Sequence, residues 1–327
     1  MAVPLSVFTS CRAALESVRG TDLAPTRAIY GESFELEHEV ATIRPTELRG
    51  SYEGVFQASA GPERSTLTIG GRMSYDDAIW WANLAFKAVA SGTGGGADKT
   101  WTFLPTNTSD DVKTVSVQLG DSAAISAATP GVKLNYGMLD EFNLHVEKND
   151  DGAATFTGKI MFAKALTQIT AFTGAAADRT TVPMSSNNAI VKIDATTIGT
   201  TSDLAVTAVD FTINNNPVPF YALDNTLAAQ AVYRPQHRTW KAEITRQYTS
   251  VAEFSAYVAK TVRKVRLLIT TGASYSFQLD LYGVWTSRSY SEVDGIITEV
   301  LTLEPVYDTG STSSVNLIVI NQTAAIT

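Results

Sequence analysis

The stretch SGTGGGAD at 91–98, followed by Lys99, is the first place where residue type and spacing bear on chemistry. The amides of a glycine-rich loop cradle phosphate groups when a helix starts directly behind it. Here Lys99 stands three residues after Gly96 instead of directly after a glycine, and the segment that follows, TWTFLP, alternates like a strand. The stretch therefore reads as a flexible loop. Glu147, Asn149, Asp151 and Gly152 match the opening of a calcium loop, yet Gly158 occupies the twelfth position, where a bidentate Glu is required. A polar hairpin tip is the better reading. His38, His145 and His237 are far apart, and no H-x-x-x-H or C-x-x-C spacing supports zinc. There is no G-x-S-x-G elbow, and Cys11 has no neighbouring base. Trp80 and Trp81 stand at helical spacing among Ala, Leu and Phe, which describes core or subunit interface before a ligand platform. No catalytic residue, metal or cofactor is expected, and the chain reads as a non-enzyme.

Composition sets the frame. The 327 residues include 25 basic and 33 acidic ones, for a net charge of −8, and 44% are hydrophobic. That is enough for one large or two ordinary domains with a core, and it gives no global attraction to nucleic acid or an anionic membrane surface. A single cysteine excludes an intrachain disulfide and fits assembly in a reducing cytosol. The N-terminal residues lack a signal-peptide pattern, and the longest apolar segment, 78–90, is interrupted by Asn83 and Lys87, so no membrane span is expected. The N-x-S/T matches at Asn107 and Asn321 then arise by chance.

The elements that must position any functional surface are mostly strands. SFELEHEV at 33–40 alternates strictly, with Phe34, Leu36, His38 and Val40 on one face and Glu35, Glu37 and Glu39 on the other. His38 is accordingly expected among core residues. The same period marks Leu67 and Ile69, Trp101 and Phe103, and Val115, Val117 and Leu119. In 138–148, Phe142, Leu144 and Val146 oppose Glu141, Asn143, His145 and Glu147. A hairpin turn at Asp151-Gly152 leads into the returning strand AATFTGKIMF. Further strands are expected at 204–214, 239–245, 265–271, 275–287 and 296–305. Helices are expected from Ser74 up to the glycine-rich loop, at 250–264, and more weakly at 11–18.

Internal repetition is the most informative feature. Arg64 and Arg238, Arg72 and Arg246, Ala78 and Ala252, Trp80 and Phe254, and Ala82 and Ala256 are each 174 positions apart. Alternation in the strand before the helix prefers 173, pairing Leu67 with Trp240 and Ile69 with Ala242. Both halves continue with a Tyr-Gly pair (Tyr136-Gly137 and Tyr282-Gly283) and a hairpin at Asp-Gly (Asp151-Gly152 and Asp294-Gly295). The hairpins are only 143 apart, so the second half has the shorter region after its helix. The order of elements carries more weight than the identities. The expected division is 1–172 with an arm at 1–31, a small polar linker at 173–188, and 189–327.

The order RPTELRGSYEG, STLTIGGRMSYDDAIWWANLAF, a glycine-rich loop, TWTFLPT and YGMLDEFNLHVEKNDDGAATFTGKI resembles the major tail tube proteins of long-tailed bacteriophages. TVPMSSNNAIVKID and VDFTINNNPVPFYALDN resemble the same group. The resemblance implies a mainly β fold of two tandem tail-tube-like β-sandwich or barrel domains, each with one flanking α-helix. It implies a virion protein, made and assembled in the host cytoplasm, whose inner strands join around a ring into a barrel enclosing the DNA channel. Rings would stack through loops and arms and meet tape measure, tail terminator and distal tail proteins. With duplicated domains, three copies supply six pseudo-equivalent units, so a trimer with pseudo-sixfold symmetry is expected over a hexamer.

An acidic or neutral channel wall lets duplex DNA slide, because every Lys or Arg on phosphate adds salt-dependent grip. Glu35, Glu37 and Glu39, with Glu141 and Glu147, are candidate lumen-lining residues; an ordinary solvated outer face is the other reading of these stripes. Gly92, Gly94, Gly95 and Gly96 mark a candidate ring-stacking loop. Three alternatives stand beside this one: the tube of a contractile injection system, a capsid decoration or baseplate protein, and a carbohydrate-binding or hydrolytic β-sandwich.

Overall fold

Strict alternation of apolar and polar residues builds most of this molecule, and the strands run long where it is sustained. The computed structural model describes residues 9–44, 58–105, 112–121, 125–126, 130–148, 152–174, 181–249, 251–293, 295–323 and 325–326. Asp151, Asp294, Asn107, most of RPTELRGSYEG and residues 1–8 of the arm expected at 1–31 lie outside the described residues; residues 9–15 and 27–29 of that segment are strands. The described residues are mainly β, with two short α-helices.

The first half contains β1 (Thr9–Leu15), β2 (Arg27–Ile29), β3 (Ser33–Ile43), β4 (Ser59–Arg72), α1 (Tyr75–Ala85), β5 (Lys99–Phe103), β6 (Val115–Asp121), β7 (Gly131–Glu147), β8 (Thr155–Phe162) and β9 (Thr167–Ile169). The second contains β10 (Ala189–Asp194), β11 (Val206–Asn214), β12 (Val218–Phe220), β13 (Ala231–Tyr233), β14 (Thr239–Gln247), α2 (Ala252–Ala259), β15 (Arg263–Thr271), β16 (Tyr275–Val293), β17 (Ile296–Pro305) and β18 (Val315–Asn321). All named strands except β12 and β13 are hydrogen-bonded into one antiparallel network.

Within it one arrangement occurs twice. The first half runs β3-β4-β8-β7-β6-β1 across the sheet, and the second runs β11-β14-β17-β16-β15-β10. Taken in chain order these are the same six positions, with a helix after the third strand each time. A bulge falls at the same place in both, between Leu139 and Glu141 against β8, and between Trp285 and Ser287 against β17. The Tyr-Gly pairs sit just before it. A Cβ on Gly137 would lie 2.5 Å from the Phe162 ring, and one on Gly283 would lie 2.1 Å from the Glu304 carbonyl, so both glycines permit close approach of the returning strand.

Helix α1 forms for local reasons and is buried for tertiary ones. Ser74 caps α1, its hydroxyl accepting the Asp77 amide at 3.0 Å, with Asp76 and Asp77 in the first turn. Arg27 anchors that turn, donating to the Asp77 carboxylate at 2.8 Å. The helix stops at Ala85, well before the glycine-rich loop, because the Asn83 side chain takes the Val89 amide at 2.7 Å and turns the chain. Its last carbonyls are met from the second half: Asn215 donates to Leu84 and Arg238 to Phe86. Ten of its eleven residues are buried.

Residues 11–18 are not helical. Cys11 and Ala13 alternate into the core of β1, which pairs along its length with β6, so long-range pairing overrides the helical preference of Ala. The second helix is shorter than 250–264, ending where Lys260 adopts a left-handed conformation (φ 51°) and passing into β15 at Arg263. The ladders also correct the repeat spacing. Lys159 faces Thr68 as Thr302 faces Glu243, which equates Leu67 with Ala242 and Ile69 with Ile244, two residues beyond the pairing read from sequence.

Asp194 closes the turn after β10, accepting from the amides of Gly199, Thr200 and Thr201 and from the Thr200 hydroxyl. Burial alone would raise its carboxyl, but the hydrogen bonds from Thr200 and Thr201 together outweigh it and hold the group below the usual carboxylate range. Its stabilising contribution is therefore present above the unfolded value of about 3.9 and is lost as pH falls through the lower folded value. Asp194→Asn is expected to lower the melting temperature at pH 7 and to flatten its decline between pH 5 and 2. An acid limb as steep as wild type would contradict this role.

Candidate functional site

The candidate surface is one face of the sheet, and cross-strand register defines it. Directly paired residues share a face. Glu35 of β3 is opposite Thr68, which is opposite Lys159, then Glu141, then Asn214, then Thr239. Two steps along, His145 is opposite Thr155 and Asp210, and Asp210 is opposite Glu243. Glu35, Glu37 and Glu39 and the pair Glu141 and Glu147 therefore lie on the same polar face, which crosses both halves without a break. The opposite face carries Leu67, Ile69, Phe142, Leu144, Phe211 and Ile244 into the core.

The halves meet where the C-terminal part of β7 pairs with β11, from Glu141 opposite Asn214 to Glu147 opposite Ala208. On the polar face this seam is closed by Asn143 on the Thr212 hydroxyl at 2.9 Å and by His145 Nδ1 on Asp210 at 2.6 Å, with Glu147 3.5 Å from Nε2. On the core side, α1 lies over the joint. Trp81 packs on Phe142 and Phe156, and Asn321 of β18 donates to the Tyr75 carbonyl.

The ladder cations of the polar face are each held by a carboxylate: Arg64 by Glu39 at 2.6 Å, Arg72 by Glu32 at 3.1 Å, Lys159 by Asp140 at 3.7 Å and Lys241 by Glu243 at 3.1 Å. Asp140 is the bulge residue of β7; burial holds its carboxyl above the usual range despite Lys159. The surface is thus acidic with its positive charges already engaged.

His38 departs from expectation. It is exposed, with Nδ1 2.9 Å from the Ser65 hydroxyl, because among the described residues β3 pairs with β4 alone and the core ends beside it. The glycine-rich loop is tied down rather than free. Thr93 and Thr100 exchange backbone hydrogen bonds at 2.8 Å, and Lys99 reaches back to the Gly94 carbonyl at 2.7 Å. Gly92 packs against Trp101, Gly94 has φ 128°, Gly95 faces open space, and a Cβ on Gly96 would lie 4.0 Å from the Asp98 amide nitrogen. Sequence reasoning missed β18, which binds β16 on one edge and β5 on the other and so carries part of the first half onto the second. Its alternation, Val315, Leu317 and Val319, was available as a signal.

The described residues form mainly one antiparallel strand network with a helix-covered core face and an acidic polar face. A family model described as phage tail tube protein matches residues 9–310, and the chain belongs to that family. It is a structural protein of the virion tail. None of the curated proteins compared with the chain matches it. Among the described residues, no helix is long and apolar enough to cross a membrane.

Proposed function

We propose that the chain is the major tail tube subunit of a long-tailed phage with a non-contractile tail, built as two tandem tube domains at 1–172 and 189–327. Three copies form each ring, rings stack into the tube, and the genome leaves through the bore. The observation that carries this reading is the strand order repeated in both halves and joined by the β7–β11 seam. Each chain contributes eight strands to the polar face. Three chains then make a barrel of about 24, with a backbone radius of roughly 24 Å at ordinary strand spacing and tilt, wider than the aqueous porins. The polar face, with Glu35, Glu37, Glu39, Glu141 and Glu147, forms the channel wall. The loop carrying Gly92, Gly94, Gly95 and Gly96 contacts the next ring, and the tube meets the tape measure, terminator and distal tail proteins.

Electron microscopy of particles or purified protein tests the assembly: hollow tubes with true threefold and apparent sixfold rings are expected. True sixfold rings would retain the tube and remove the trimer; discrete particles without a channel would favour a decoration or baseplate role. The channel wall has its own test. Glu35→Lys with Glu141→Lys adds unpaired cations to the polar face, so DNA release at low salt should slow at least tenfold and recover as salt rises. Release kinetics unchanged at every salt concentration would place that face away from the DNA.

A further inference from the structure

Among the described residues the internal seam has an unpaired counterpart in each half. The C-terminal part of β7 is paired on both edges, by β8 and by β11. The matching part of β16, 287–293, is paired by β17 alone among the described residues, since β18 stops opposite Ser276 to Leu281. Likewise β11 is paired by β14 and β7, while β3, its counterpart, is paired among the described residues only by β4. One chain therefore presents a donor edge and an acceptor edge of the kind it has already joined once inside itself. Two such different edges on one molecule define a head-to-tail contact.

We infer that residues 287–293 of β16 pair with residues 33–39 of β3 in a second copy of this chain, with Ser289 opposite Glu37, and that the outer face of α2 covers the joint. The inference rests on the tube reading for its biological setting, but its register comes from the ladders. The shared bulge equates Glu141 with Ser287 and Lys159 with Thr302. Following those rows outward equates Thr68 with Glu243, and Glu35 with Asp210. Transferring the β7–β11 register to the free edges then sets Ser287 against Glu39, Ser289 against Glu37 and Ser291 against Glu35.

The chemistry of these positions agrees. Each glutamate meets an uncharged serine, so no like charges face each other across the joint. On the core side Tyr290, 54% exposed in the single chain, comes opposite half-buried Leu36. Arg288, next to it, is already neutralised by Glu299 at 2.6 Å and so does not repel the facing His38. The helices repeat the pattern. Whereas α1 is buried between the halves, α2 exposes Val251, Phe254 and Val258 at 62%, 44% and 63%. Its place in the repeat puts that apolar face over the β7–β9 region of the neighbouring copy, as α1 lies on β16 and β18. Unpaired strand edges and exposed apolar side chains are liabilities unless assembly covers them.

The test is site-directed cross-linking in assembled particles or tubes. Cys11 is buried and its thiol is pushed up to about 12 by burial, so it does not compete. Glu37→Cys with Ser289→Cys, oxidised or treated with a short bis-maleimide, is expected to give a covalent ladder that ends at three chains. Its yield should be at least tenfold that of Ser33→Cys with Ser289→Cys, whose sulfurs lie four residues, about 13 Å, out of register. Tubes with preferential linkage of the second pair would overturn the register; tubes with neither linkage would overturn the seam and leave the tube reading intact. A ladder in an assembly that is not a tube would retain the seam and remove the tube reading. If the variants do not assemble, amide exchange on the wild type decides: 33–39 and 287–293 must gain at least tenfold protection on assembly, and no gain refutes the joint.

Discussion

Trp81→Ala is expected to destabilise the chain by about 3–5 kcal/mol, the range for emptying a large aromatic site in a packed core. Trp81 is 1% exposed and stands edge-on to Trp80, with ring centroids 4.8 Å apart. It also contacts Phe142 and Phe156, at 5.6 and 5.1 Å. The indole lies directly over Gly158, where an added Cβ would be 2.3 Å from ring carbon Cζ3. Its site is continuous with Phe277, Leu279 and Leu317 of the second half, so the loss loosens both halves together. Gly158→Ala alone should also destabilise, by about 1–3 kcal/mol through overpacking. In the Trp81→Ala background the same change should cost little or become favourable, because the obstructing ring is gone. Denaturant unfolding of the two single variants and the double variant measures this coupling. Strict additivity, or a Trp81→Ala loss below about 1 kcal/mol, would show that the ring is not the keystone of this packing.

The second large effect is electrostatic and lies in the first half. Glu16 is 2% exposed, and its carboxylate accepts from the Gly20 amide at 2.7 Å, the Thr114 hydroxyl at 2.6 Å, the Ser116 hydroxyl at 2.8 Å and the Tyr136 amide at 2.8 Å. The last contact holds Tyr136 in a left-handed conformation, φ 57°, within an irregularity of the β6–β7 ladder. Glu16→Ala would strand the buried Tyr136 amide, at about 1–3 kcal/mol, and the half-buried Gly20 amide at less, while the hydroxyls can turn to other acceptors. A total of roughly 2–4 kcal/mol is expected, with Glu16→Gln intermediate because one acceptor oxygen survives. Thermal and denaturant midpoints check this. Amide exchange should localise the damage to β1, β6 and the start of β7. A midpoint within error of wild type for Glu16→Ala would refute the role.

Much of this molecule was legible in the chain. Strict alternation marked the inward residues Leu67, Ile69, Phe142, Leu144 and Val146 because a strand must alternate its faces, and Ser74 with two aspartates behind it marked the start of α1. The Tyr-Gly pairs showed where two halves correspond. What they did not show is that Tyr136 is left-handed while the β15–β16 ladder runs unbroken past Tyr282. The difference comes from Glu16, which is 120 residues away from Tyr136 in the chain.

Only tertiary structure decided that the two glutamate stripes share one face, because local periodicity assigns residues to a side of their own strand and says nothing of how separate strands are paired. The same limit applies to β1, where alanines with a helical preference are held extended by pairing with β6, and to His38, which follows the apolar period yet lies beyond the edge of the core. Side-chain alternation by itself determined most of the long strands and their inward residues. Register across distant strands decided the continuous polar face, the seam between β7 and β11 and the burial of α1, since those depend on hydrogen bonds and packing between residues far apart in sequence.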